Sequence, residues 1–289
     1  MLNRWSVKAT SSDSKGFTLL ELIIVIIILG VMAVGISGFI SLTTQTYLNV
    51  SERDDLLSSA RFAVERLNRE IRNAVPNSIR VSNDTLRQCI EFSPVIASTI
   101  YTDAPVSPEL GRLDVSVIPF QLNNSDYSCS APCQDKAAIY PLNSDDIHNQ
   151  DLFFGTGKVF GLNVFVPPVG QNEWQLPISK PFVADSIHFD EDSPTNRLYI
   201  IKSPVSYCVD SGELIRYEGH SFSQTQILKP TSSQALMAEN ISAIDTGNLP
   251  FSVDPASLQR NAVVHVRLEF DRDGEVVVFD NDIHVTNIP

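Results

Sequence analysis

Basic residues are scarce in this chain: 21 Lys+Arg stand against 34 Asp+Glu, a formal net charge of −13. Nucleic-acid affinity rests on Lys and Arg neutralising phosphates, so the deficit argues against a nucleic-acid partner. Charge of either sign is thin, at 19% of 289 residues against 43% hydrophobic. With a mean hydropathy of +0.01 the chain is too apolar to stay disordered. Its length allows one large domain or two small ones with a true core. No repeat and no low-complexity tract interrupts it. Catalytic signatures are missing as well. There is no H-E-x-x-H, no G-x-S-x-G and no phosphate loop, and His148, His188, His220, His265 and His284 are scattered. Asp271-Arg272-Asp273-Gly274-Glu275 faintly resembles a calcium loop but lacks the bidentate Glu at its twelfth position, and a hairpin turn explains it. No metal or cofactor is implied, and the chain does not read as an enzyme.

What charge there is falls unevenly. The first 16 residues hold Arg4, Lys8 and Lys15 against Asp13, net +2, which leaves −15 for the remainder. Between the two lies Leu22–Ile40, 19 residues without a charge. As a helix it covers ~28 Å, close to the hydrocarbon thickness of a bilayer. Basic residues before it, and Glu52, Asp54 and Asp55 after it, put the N-terminus in the cytoplasm and the bulk outside. A cleaved secretory signal with its cut near Ala33-Val34-Gly35 is a rival, but the apolar run is too long. A plain uncleaved anchor is another. Neither explains Glu21, a carboxylate at the edge of the run, where ionisable groups cost up to ~2.5–3.5 kcal/mol. It could pair with an amine at Phe17, four residues earlier on one helix face.

Lys15-Gly16-Phe17-Thr18-Leu19-Leu20-Glu21 followed by the apolar run resembles the prepilin signature of the type IV pilin family. The resemblance implies that a prepilin peptidase at the inner membrane cuts after Gly16 and methylates the new N-terminus at Phe17. The apolar helix then stays as anchor and assembly element, and Glu21 meets the ammonium of a neighbouring subunit. No proline stands inside the run, whereas Gly30, Gly35 and Gly38 depart from major pilins.

Beyond the run the pattern stays helical. Leu57, Ala60, Val64, Leu67, Ile71 and Val75 form one apolar stripe, and Pro76 stops it. Arg61–Glu65, Glu65–Arg69 and Arg66–Glu70 are i,i+4 pairs, so the arginines read as a self-paired solvated face. Taken as one helix, Phe17 to Val75 would span ~88 Å. The expected organisation is a leader at 1–16, a membrane and assembly helix at 17–41, an amphipathic helix at 42–75 and a head at 76–289. The head reads as β-rich. Alternating residues predict strands at Val264–Phe270 and Glu275–Phe279 about a turn, with a last short strand at Ile283–Asn287. A second hairpin joins Ser206–Val209 to Glu213–Glu218. Further candidates are Gln88–Ser93, Arg112–Phe120, Lys158–Val166, Phe182–Phe189 and Arg197–Lys202, with loops near 121–135, 142–151, 190–196 and 245–256. The class is α+β, one long helix with an antiparallel β-rich head.

Four cysteines outside the cytoplasm favour two disulfides. Of three connectivities, Cys129–Cys133 and Cys89–Cys208 are preferred: the first closes a short loop, the second joins two predicted strands across a long one. Zinc is disfavoured, since Cys129 and Cys133 have no second pair or histidine at ligand spacing.

Further blocks carry a finer resemblance. Glu65-Arg66-Leu67-Asn68-Arg69-Glu70-Ile71-Arg72-Asn73-Ala74-Val75-Pro76-Asn77, Cys89-Ile90-Glu91-Phe92, Val205-Ser206-Tyr207-Cys208 and the ending Ile283–Pro289 look like minor pilin-like subunits of the mannose-sensitive haemagglutinin (MSHA) pilus, an adhesion fibre. This implies a non-catalytic subunit in the inner membrane, with its head in the periplasm, that enters the pilus near its tip. Its implied partners are the peptidase, other minor and major pilins and the inner-membrane assembly platform. A minor pseudopilin of type II secretion fits the anchor and head equally, and a membrane-anchored periplasmic enzyme or sensor is the distant alternative.

Overall fold

The computed structural model describes residues 16–149, 155–183, 186–244, 247, 249–256, 260–272 and 274–285. The leader through Lys15, the turn residue Asp273 and the ending from Thr286 lie outside the described residues. The chain forms two units divided between Asp55 and Leu56, and helix α1 (Leu19–Arg72) contributes to both.

In the first unit every described side chain is exposed. The most apolar 18-residue window of α1 has a mean hydropathy of 3.0, so the helix is long and apolar enough to cross a membrane. Just past the apolar run, Thr43, Thr44 and Thr46 donate their hydroxyls to the carbonyls of Phe39, Ile40 and Leu42, at 2.8, 2.8 and 2.9 Å. Each hydroxyl is thereby satisfied without water, as a segment entering lipid requires.

In the second unit α1 is amphipathic. Leu56, Ala60, Ala63, Val64, Leu67 and Ile71 are buried, with Leu56 taking the place expected for the half-buried Leu57. The small Ala60 and Ala63 let the helix backbone approach the sheet it covers. That sheet has five antiparallel strands in the order Arg80–Asn83, Arg87–Phe92, Val205–Asp210, Glu213–Glu218 and Ser233–Ala238. Ile90, Phe92, Val205, Tyr207, Val209 and Leu214 meet the helix stripe in one core. A C-terminal meander, Phe251–Asp254, Ala262–Arg272 and Glu275–Val285, adds Val264, Val266, Leu268 and Phe270 to it. The Gln88 amide fastens the two sheets, donating to the Phe251 carbonyl at 2.9 Å and accepting from its N–H at 2.8 Å.

Between the paired strands Arg87–Phe92 and Val205–Asp210 the chain departs to build a second core. Six strands close a barrel in the order Trp174–Ser179, Asp114–Val117, Val95–Asp103, Arg197–Ile201, Lys136–Ile139 and Val159–Leu162. Alternation sends Val115, Val117, Trp174, Leu176, Ile178, Leu198 and Ile200 inward. Residues on the other side of the wall, Ala138, Val159, Tyr199 and Ile201, pack with Val75 and Ile147 into a small cluster at the end of the helix.

The α+β class is as expected, and several elements are not. Helix α1 stops at Arg72 rather than Val75. The Val75 N–H donates to the Ser93 carbonyl and the Val95 N–H to the Asn73 carbonyl, both at 2.8 Å, so sheet-like pairing captures the chain before Pro76 acts. Among the described residues of Phe182–Phe189 the strand is His188–Phe189, and Phe182 sits exposed in a turn with φ 63. Arg112–Phe120 shortens to Asp114–Val117. The loop at 121–135 contains a minimal hairpin of Gln121–Leu122 and Ser125–Asp126, and the loop at 142–151 contains the short helix α2 (Ser144–His148), capped by Asn143. Ile283 begins no separate strand, because Glu275–Val285 pairs residue for residue with Ala262–Arg272 through a turn at Gly274.

Candidate processing and assembly site

Thr18 sets the start of α1. Its Oγ1 accepts from the Glu21 N–H at 3.3 Å, and its carbonyl accepts from Glu21 and Leu22 at 3.1 and 3.2 Å. A capped helix begins after its cap, so α1 starts at Leu19, two residues later than the sequence implies. The pattern Thr18-x-x-Glu21 is that of a capping box, a signal the sequence reading passed over. Phe17 therefore lies outside the helix, and helical spacing does not place it over Glu21 in this uncut chain. Glu21 occupies the first turn, where the helix dipole favours a carboxylate.

Gly16 and Phe17 are exposed, Phe17 at 82%. A Cβ added at Gly16 would meet nothing within 4 Å. The fold therefore places no demand for glycine there. Gly30, Gly35 and Gly38 are equally open.

The cysteines form two bridges. Cys89 and Cys208 are register partners on adjacent strands and are joined, with Cα atoms 4.1 Å apart. Cys129 and Cys133 are joined across a separation of 4 residues.

The histidines are scattered along the sequence, but two of them, His148 and His220, converge on Glu91. Its carboxylate is buried on the sheet face turned away from the helix and accepts from Arg80 Nε at 3.0 Å and Nη2 at 2.6 Å. Ser206, its cross-strand partner, donates to it at 3.1 Å. His220 Nε2 lies 3.3 Å from the carboxylate and His148 Nδ1 3.1 Å. Arg80 also donates to the Ser223 and Gln224 carbonyls at 2.8 Å, binding the irregular segment that covers this face. Burial is the largest single influence on Glu91 and raises its pKa, but His220, Arg80 and His148 together hold it below the usual carboxylate range. Burial and then the Arg80 charge push His148 down to about 4. Its Nε2 donates to the Ser78 carbonyl at 2.9 Å, and Nδ1 faces the Glu91 carboxylate. Sequence held one signal of this network: a charged residue, Glu91, inside a strand otherwise buried from Gln88 onward.

Among the described residues no group of three or more His, Cys, Asp or Glu side chains is arranged to hold a metal ion. No curated protein and no solved structure matches the chain. The family model for the prokaryotic N-terminal methylation motif matches residues 11–37. That stretch holds Gly16, Phe17, Glu21 and most of the apolar run. The signature implies processing by a prepilin peptidase and assembly with other pilins, and the exposed apolar helix behind it is consistent with a membrane anchor. By this segment the chain carries the N-terminal methylation motif, which supports a type IV pilin-like protein.

Proposed function

We propose that the chain is a minor pilin-like, non-catalytic subunit that helps initiate or assemble an MSHA-type pilus near its tip, in the manner of the biogenesis protein MshO. In this reading residues 1–16 are removed in the cytoplasm, 17–41 span the inner membrane, and 42–75 carry the head at 76–289 into the periplasm. The observation that carries it is the N-terminal methylation motif at residues 11–37, which holds Gly16, Phe17 and Glu21 ahead of an apolar helix. A glycine at this point gives a protease cleft an extended, unobstructed backbone at Gly16-Phe17, and the open surroundings of Gly16 are compatible with that role. Mass spectrometry of the mature protein should find methyl-Phe17 as the first residue, and Gly16→Leu should block the cut. An intact leader, or a cut near Gly35, would refute the proposal.

Glu21 has a separate role in this reading. An ammonium inside a low-dielectric helix bundle needs a counter-charge, which Glu21 supplies to the neighbouring subunit. A subunit at the extreme tip has no neighbour above it and no such need, so this chain docks below at least one other minor subunit. Glu21→Ala should leave processing and insertion intact while reducing recruitment and the number of pili, counted by electron microscopy. Wild-type piliation, or labelled heads spaced along the whole fibre, would contradict it.

A further inference from the structure

The segment 219–232, which runs without helix or strand between Glu213–Glu218 and Ser233–Ala238, lies over the sheet face turned away from α1. Side chains fasten it along its length. At its start His220 Nε2 lies 3.3 Å from both the Ser206 hydroxyl and the Glu91 carboxylate. Arg80 then donates to the Ser223 and Gln224 carbonyls, and the Gln226 amide donates to the Cys89 carbonyl at 3.0 Å.

Past Gln226 the segment crosses the bridge between Cys89 and Cys208. The Leu228 carbonyl oxygen lies 3.2 Å from Cys89 Sγ and 3.4 Å from Cys208 Sγ. The Leu228 side chain packs on the cluster that the two cysteines form with Tyr217. Behind the bridge, Ile90, Tyr207 and Val209 of the same strands fill the helix core. Both cysteines are 0% exposed as a result. The other bridge is placed differently, in the loop before Lys136–Ile139, where Cys133 is half-buried.

Thiol–disulfide exchange needs a thiolate in contact with a bridge sulfur, so access sets its rate. A segment held by a few side-chain contacts opens locally at less cost than the whole head unfolds. We propose that residues 219–232 gate this exchange: Cys89–Cys208 meets an external dithiol only when the segment lifts from the sheet, so the two bridges open in a fixed order, Cys129–Cys133 first. One thiolate of the dithiol attacks a bridge sulfur, the S–S bond breaks, and the other cysteine leaves as a thiolate that takes up a proton. The second thiol of the reductant then displaces the first cysteine from the mixed disulfide. Two electrons have passed to the bridge, and the dithiol has become a cyclic disulfide. The proposal is independent of how the N-terminus is processed.

Timed reduction of the full chain in detergent by dithiothreitol, with alkylation and peptide mapping by mass spectrometry, tests it. Cys129–Cys133 should open at least about tenfold faster than Cys89–Cys208. Leu228→Ala should speed the opening of Cys89–Cys208 by about fivefold or more and leave that of Cys129–Cys133 unchanged. Leu268→Ala removes packing from the helix core and leaves the segment intact. It should lower the stability of the head to urea without changing the opening rate of Cys89–Cys208 in its absence. Equal opening of the two bridges, no acceleration in Leu228→Ala, or as much acceleration in Leu268→Ala would overturn the proposal. The last result would mean that the bridge is reached only through unfolding of the whole head.

Discussion

Replacing Glu91 by alanine is expected to destabilise the head by about 3–5 kcal/mol, the penalty of leaving a buried charge without its partner. The carboxylate is 1% exposed and is the only acidic group that Arg80 reaches within ion-pair distance among the described residues. Without it the guanidinium keeps two backbone carbonyls but no counter-charge, and the buried Ser206 hydroxyl loses an acceptor. Glu91→Gln keeps part of the hydrogen bonding and should fall between. Urea unfolding of the full chain in detergent, followed by circular dichroism, measures both. A loss below about 1 kcal/mol would show that Arg80 reaches water once released.

Acid should act on the same network. Glu91 and His148 both have pKa values depressed by folding, so the unfolded chain takes up their protons more readily than the folded one. Their contribution is complete above pH 6.5, the ordinary histidine value, and declines as pH falls toward about 4, with Glu91 extending the loss at lower pH. His148→Gln, which can still donate to the Ser78 carbonyl, should remove the upper part of that slope.

Deleting the bridge between Cys89 and Cys208 is the second large effect. The residues are 119 apart, and in the chain-entropy account a loop of that size is worth about 4–5 kcal/mol. The bridge between Cys129 and Cys133 closes only 4 positions and is worth about 2 kcal/mol in the same account. The double variant Cys89→Ala, Cys208→Ala should therefore unfold at markedly lower urea than Cys129→Ala, Cys133→Ala. Peptide mapping without reductant should recover both links. Equal losses in the two variants would show that native packing, not the unfolded chain, sets their value.

The parts of the fold legible in sequence share one property: their signal is local. A 3.6-residue stripe at Ala60, Val64, Leu67 and Ile71 and strict alternation through Val264–Phe270 each declare an element within a single window. The hairpin from Val205–Asp210 to Glu213–Glu218 is as plain, because Asp210-Ser211-Gly212 supplies its turn and Ser211 and Gly212 take positive φ. The barrel was less visible. Val95–Asp103 carries polar residues at Ser98, Thr99 and Thr102, and Lys136–Ile139 is short and rich in alanine, so neither has a distinct period. Their strand character comes from partners far along the chain, such as Arg197–Ile201 between them. The Glu91 network was illegible for the same reason, since Arg80, His148 and His220 come from three separate segments. The N-terminal site is the opposite case. Gly16, Phe17 and Glu21 lie within six residues of one another, and a fixed local pattern carries the whole signal.

The barrel enters and leaves the head through neighbouring strand ends, for Phe92 and Val205 face each other in the five-stranded sheet. A segment rooted at two adjacent points is topologically a long hairpin loop, and the cost of loop length rises only logarithmically. The length of what is carried between residues 93 and 204 is therefore little constrained, while His148 on Glu91 and the cluster around Val75 tie its base to the sheet and the helix end. Selection can lengthen or trim the parts of that cassette away from its base while the N-terminal helix stays unchanged. One lineage of such chains can in this way diversify the surface of the barrel without altering the helix and sheet from which it springs.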